Sequence, residues 1–145
     1  MFNMPRLKND SKKTKDKDFF EGTGRRKEAV ARVRLFFKKG DFLLNDKPID
    51  EYFSNIVEQK KYNEPFRVVN RQDQFSGSIK VEGGGKIGQI DAVVLGVSRA
   101  LAKFDESFRP ILRKYKLLTR DPRVKESRHY GLAGKARKKK QSPKR

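Results

Sequence analysis

From Glu28 onward the chain alternates. Ala29, Ala31, Val33, Leu35 and Phe37 fall on one face, with Glu28, Arg32 and Arg34 on the other. A period of two marks a half-buried strand. Lys38-Lys39-Gly40-Asp41 is a turn signal, and Phe42-Leu43-Leu44 reads as the returning strand of a hairpin. Asn45-Asp46-Lys47-Pro48 offers a capping residue and an early-helix proline ahead of a short helix, Ile49 to Phe53. A weaker pattern predicts helix over 55–64. Phe66-Arg67-Val68-Val69 and Phe75 to Val81 read as two further strands. In the second of these Phe75, Ile79 and Val81 share a face, with Gly77 at a bulge or a close approach.

The period then lengthens. Ile90, Val93, Val94, Val97 and Leu101 recur at helical spacing, a core-facing stripe on a helix from about Gln89 to Phe104. Asp105 or Ser107 can cap a last helix whose apolar face is Phe108, Ile111, Leu112 and Tyr115, with Pro110 tolerated in its first turn. A hairpin first and helices last predict an α+β, two-layer domain. Its sheet has four strands, mostly antiparallel or mixed, with helices on one face.

Charge divides the chain. There are 37 Lys+Arg against 18 Asp+Glu, a formal net charge of +19. Residues 1–20 hold six cations and three acids, 21–119 hold twenty and thirteen, and 120–145 hold eleven and two. The last stretch cannot bury enough apolar surface to offset the entropy of ordering. The expected organisation is a disordered basic extension over 1–20, a globular RNA-binding domain over 21–119, and an extended basic tail over 120–145. So large a surplus repels itself unless a polyanion neutralises it, and phosphate polymers fit best because neutralisation releases condensed counterions. The longest apolar run, Ala92 to Val97, is far short of the ~20 residues that span a bilayer. Met1 to Asp10 lacks the apolar stretch of a secretory signal. No cysteine is present, so disulfides and thiolate metal sites are excluded, and the cytosol is the default location.

Little in the chain suggests catalysis. His129 is the one histidine and has no neighbouring Asp/Glu/His set, so an RNA contact or a solvated role fits it better than a metal or catalytic one. Gly83-Gly84-Gly85-Lys86-Ile87-Gly88 lacks the Ser or Thr a magnesium-binding phosphate loop needs after its lysine. Gly83, Gly85 and Gly88 match a dinucleotide spacing, but the parallel strand expected after the crossover helix is missing. Two readings remain: a loop whose amides at Gly84 and Gly85, with Lys86, hold an RNA phosphate, or a tight strand-to-helix turn. Gly22-Thr23-Gly24-Arg25-Arg26-Lys27 opens the first strand, its glycines beside three cations, and Arg32 and Arg34 extend that patch along the sheet. In the tail, Arg120, Arg123, Arg128, Lys135, Arg137, Lys138, Lys139 and Lys140 form a cationic run. Extended, the whole tail over 120–145 could reach roughly 80 Å and thread between RNA helices; a solubility or localisation tail is the plainer reading.

Four segments resemble a known family. Gly22-Thr-Gly-Arg-Arg-Lys-Glu-Ala-Val-Ala-Arg-Val-Arg34, Gly83-Gly-Gly-Lys-Ile-Gly-Gln89, Leu117-Leu-Thr-Arg-Asp-Pro-Arg123 and the final Lys144-Arg145 are similar, in order, to the small-subunit ribosomal protein S nine family, bacterial type. The resemblance implies a ribosomal S-five domain-two-like fold, seated on ribosomal RNA in the head of the small subunit beside other head proteins. It also implies a tail that reaches the peptidyl (P) site, where Lys144 and Arg145 would contact tRNA, with Arg137 to Lys140 lining the RNA channel that leads there. The family commonly ends Pro-Gln-Phe-Ser-Lys-Arg, whereas this chain reads Lys140-Gln141-Ser142-Pro143-Lys144-Arg145. Base stacking by that aromatic is therefore lost, while Pro143 favours an extended Ser142. The implied protein is a cytoplasmic, ribosome-bound structural component with no catalysis, cofactor, metal or membrane. A free-standing RNA chaperone and a nucleotide-dependent enzyme built on Gly83–Gly88 are the alternatives.

Overall fold

The computed structural model describes residues 19–125. Element order is β1 (Phe20–Arg26), β2 (Ala29–Phe36), β3 (Phe42–Leu44), β4 (Lys47–Pro48), α1 (Ile49–Tyr52), α2 (Ile56–Val68), β5 (Ser76–Glu82), α3 (Lys86–Phe104) and α4 (Phe108–Lys114). The α+β architecture is as expected, but the mixed sheet has five strands rather than four, in the order β1-β2-β5-β3-β4. Alternation sorts the sheet into two faces. Gly22, Gly24, Ala29, Ala31, Val33, Leu35, Gly77, Ile79 and Val81 are buried beneath the helices, and the positions between them face outward.

Several local expectations are corrected. Phe42–Leu44 does not return along β2. Instead β5 pairs antiparallel with β2, and β3 lies parallel to β5 on its far side. Asn45 and Asp46 both take positive φ, 48° and 66°, and form a two-residue hairpin turn into β4 rather than a helix cap. The Asn45 side chain bonds Val81 in both directions at 3.0 Å, so it continues the β3–β5 ladder by one rung. Phe66–Val68 is helix, not strand: Tyr62, Pro65, Phe66 and Val69 are buried at helical spacing. That helix ends where Asn70 turns left-handed (φ 54°), its N–H bonding Arg67 and that of Arg71 bonding Phe66. Phe37 lies past the end of β2 and is exposed, though its ring still stacks on Phe104 at 5.0 Å. On α4 only Phe108 and Leu112 are buried, while Ile111 and Tyr115 face solvent.

The segment read as merely opening the first strand is a strand in its own right, β1, at the sheet edge. Its glycines serve packing. A Cβ on Gly22 would lie 1.9 Å from the Gly96 carbonyl oxygen, and one on Gly24 would lie 1.8 Å from that of Ala92. Only residues without side chains let α3 settle backbone-to-backbone on β1. Gly96 completes the seam from the helix side, where a Cβ would meet Val33 at 2.7 Å. These glycines therefore approach a helix rather than a polyanion. Gly77 is a close approach too, since the Phe42 ring sits 2.8 Å from where its Cβ would be.

Candidate nucleic-acid interface

Helices cover one side of the sheet, and the other is open. On that open face cross-strand register sets Thr23 opposite Arg32, and Arg32 opposite Lys80. Two cations directly across a ladder repel each other, and both are exposed. Arg25 shares the face. So does Arg34, whose Nε lies 3.4 Å from Glu21 and whose guanidinium stands 5.1 Å over the Phe19 ring. Lys80 was not among the expected residues. Its alternation with Ile79 and Val81 placed it on the polar side, but only the long-range β2–β5 pairing brings it to Arg32.

At one end of the sheet the glycine loop feeds α3, which begins at Lys86, a turn earlier than expected. Gly83 and Gly84 take φ of 73° and 64° against the start of β2, which accounts for the turn. Gln89 folds back, its Nε2 donating to the Gly83 carbonyl at 3.1 Å while its Oε1 accepts from the Tyr52 hydroxyl at 2.8 Å. Gly85, the N-cap of this 19-residue helix, has nothing within 4 Å of a Cβ position, and the hollow there is lined by Lys27, Glu28, Gly84, Lys86 and Ile87.

Arg26 is placed differently from its neighbours. Its side chain is 13% exposed and turned under the sheet, with Nε 3.6 Å from Asp91 and Nη2 3.2 Å from Asp121. Nη1 donates to the Arg123 carbonyl at 2.6 Å. Asp121 also accepts from the Arg123 backbone N–H and guanidinium, at 2.7–3.0 Å. The bonds from Arg123, reinforced by the nearby Arg26 charge, hold the Asp121 carboxyl well below the usual carboxylate range. Arg26 thus clamps the segment around Asp121 and Arg123 that follows α4. Arg123 faces solvent beyond that clamp, and Arg120 is exposed. Arg128, His129, Lys135, Arg137, Lys138, Lys139, Lys140, Lys144 and Arg145 lie outside the described residues, as do residues 1–18.

Comparison with known proteins fits this basic surface. The family model described as ribosomal protein S9/S16 matches residues 24–145. The chain belongs to the ribosomal protein S9/S16 family. Its relatives include the small ribosomal subunit protein uS9 of Chlorobium limicola, 45% identical over 129 residues covering 89% of this chain and 99% of the relative. That of Thermotoga neapolitana is 48% identical over 129 residues, covering 87% and 96%. A third, from Chlorobaculum parvum, is 44% identical over 122 residues, covering 84% and 94%. Membership in S9/S16 makes this a structural, non-enzymatic component of the small ribosomal subunit, which sets aside the nucleotide-dependent enzyme. No described helix is long and apolar enough to cross a membrane.

Proposed function

We propose that the folded body binds ribosomal RNA in the head of the small subunit through the open sheet face and the glycine loop, and that the C-terminal segment carries Lys144 and Arg145 to the P-site tRNA. The observation that carries the first half is the row Thr23, Arg32, Lys80. Like charges directly opposed cost stability in a free protein and cease to do so when a phosphate lies between them. Arg25, Lys27, Arg34, Lys86, Gly84 and Gly85 border the same RNA surface. Arg120 and Arg123 lead from it toward Arg128, Lys135, Arg137, Lys138, Lys139 and Lys140. Arg26 contributes by holding the departing chain. One part of the surface differs in sign: residues 41–75 hold seven acids and five cations in a chain of +19. That side suits neighbouring proteins of the subunit head rather than phosphate.

Binding to protein-free small-subunit RNA across a salt series tests the first half. The double variant Arg32→Gln/Lys80→Gln is expected to lower the slope of log K against log salt by about 1–2. An unchanged slope would remove the open face from the interface. Removing Lys144 and Arg145 is expected to leave subunit assembly intact and to weaken retention of P-site tRNA. Equal retention with and without them would refute that contact.

A further inference from the structure

A second group of cations lies on the helical side of the domain, around edge strand β1 from the open sheet face. Between edge strand β1, the C-terminal half of α3 and α4 is an open cleft of about 600 Å³, lined by Arg99, Lys103, Arg109 and Arg113 and, among the described residues, by no carboxylate. The sequence places them in two pairs. Lys103 follows Arg99 by four residues on α3, and Arg113 follows Arg109 by four on α4, so each pair shares a helix face. The two faces meet across the cleft.

Ordinary structural roles account for part of this set. Arg99 Nη1 donates to the Thr23 carbonyl at 2.7 Å and covers a free group on the sheet edge. Lys103 and Arg113 sit in the last turns of their helices, where the dipole favours positive charge. Arg109 fits none of these roles. It occupies the first turn of α4, where the dipole opposes a cation, and its one carboxylate neighbour among the described residues, Glu106 at 3.9 Å, is 90% exposed. Four like charges converging on one cleft repel one another in the free protein, and an anion seated between them reverses the sign of that term. Thr23 and Thr119 complete the lining.

We infer that this cleft is a second RNA-backbone site, taking phosphodiester groups on the helical side of the domain while the open sheet face takes others. It rests on the reading of the folded body as an RNA binder. The body would then sit between two stretches of RNA backbone and hold them at a fixed separation.

The test uses the full chain and protein-free small-subunit RNA, with binding measured over a salt series. Lys103→Gln, Arg109→Gln and Arg113→Gln are combined, and Arg99 is left in place because it holds β1. The three side chains are exposed, so the thermal midpoint should match that of the parent. The salt slope is expected to fall by about 2–3, with roughly 10- to 100-fold weaker binding at 0.15 M salt. The charge-conserving set Lys103→Arg, Arg109→Lys and Arg113→Lys should retain the parental slope. Should the triple variant fold poorly, each single Gln substitution is expected to lower the slope by about 1. A parental slope in the folded Gln variants overturns the cleft while leaving the sheet-face reading intact. No salt-dependent binding by the parent chain overturns both.

Discussion

The seam between α3 and β1 offers the sharpest test of how this fold is held. In Gly24→Ala the new methyl carbon would lie 1.8 Å from the Ala92 oxygen, 2.6 Å from the Gly96 nitrogen and 2.8 Å from the Ala92 carbonyl carbon, all backbone atoms. Ordinary contact begins near 3.4 Å, so α3 must withdraw by about 1.5 Å, and a gap even half that size forfeits a large share of the dispersion energy along the interface. The side chains that lose contact include Val93, Val97 and Leu101, all at most 1% exposed. The cost should reach or pass the upper end of the usual overpacking range, about 3 kcal/mol or more. A domain of this size has roughly 5–15 kcal/mol in total. The thermal midpoint should therefore fall by about 12 °C or more, read by circular dichroism on the full chain. Gly85→Ser is the control: it has open space and extended backbone at an N-cap position, and should be neutral or gain a few tenths of a kcal/mol. If Gly24→Ala stays within about 1 kcal/mol of the parent, the backbone-to-backbone seam is not what fixes α3.

Other outcomes follow from single contacts. Because the folded Asp121 carboxyl is depressed, its links to Arg123 and Arg26 are present above the unfolded value of ~3.9 and are lost only as pH falls below it. A carbon-detected NMR titration should find its midpoint below that value, and Arg123→Ala should raise it; a midpoint at or above ~3.9 in the parent would refute the clamp. Burial, then the hydrogen bond to Asp50, raises the Tyr62 phenol, so its contribution is complete below the unfolded value of ~10 and fades as pH rises past it. Ultraviolet titration should show one phenol ionising late, and Tyr62→Phe should abolish that phase. Lys116 ends α4 with φ of 58°, where glycine is favoured, so Lys116→Gly should stabilise by about 0.5–1 kcal/mol in denaturant unfolding.

What the sequence made legible was local. The alternation of Ala29 to Leu35 and the stripe from Ile90 to Leu101 gave β2 and α3 directly, because each pattern reports burial against one partner layer. The pairing of strands was not legible. Nothing in residues 28–44 states that β5, more than thirty residues downstream, will insert between β2 and β3. The helical spacing of Tyr62, Pro65, Phe66 and Val69 was present, but the β-branched pair Val68-Val69 and the proline masked it. At the proposed interface, Arg25, Arg32, Arg34 and Lys86 were readable as cations beside glycines or on a polar face. The inward turn of Arg26 was not, since it depends on Asp91 and Asp121, brought close only by the fold. Lys80 and the cleft were half legible: alternation put Lys80 on the polar side and i,i+4 spacing paired Arg99 with Lys103 and Arg109 with Arg113, but only the fold sets β5 beside β2 and α4 beside α3.

Lysine acylation of intact small subunits, mapped by mass spectrometry, tests the central claim most directly. Lys80 and Lys86 are exposed in the isolated fold; they should be protected in the subunit and regain reactivity once its RNA is digested. If both react as freely in intact subunits as in the isolated chain, the open sheet face and the glycine loop do not meet RNA.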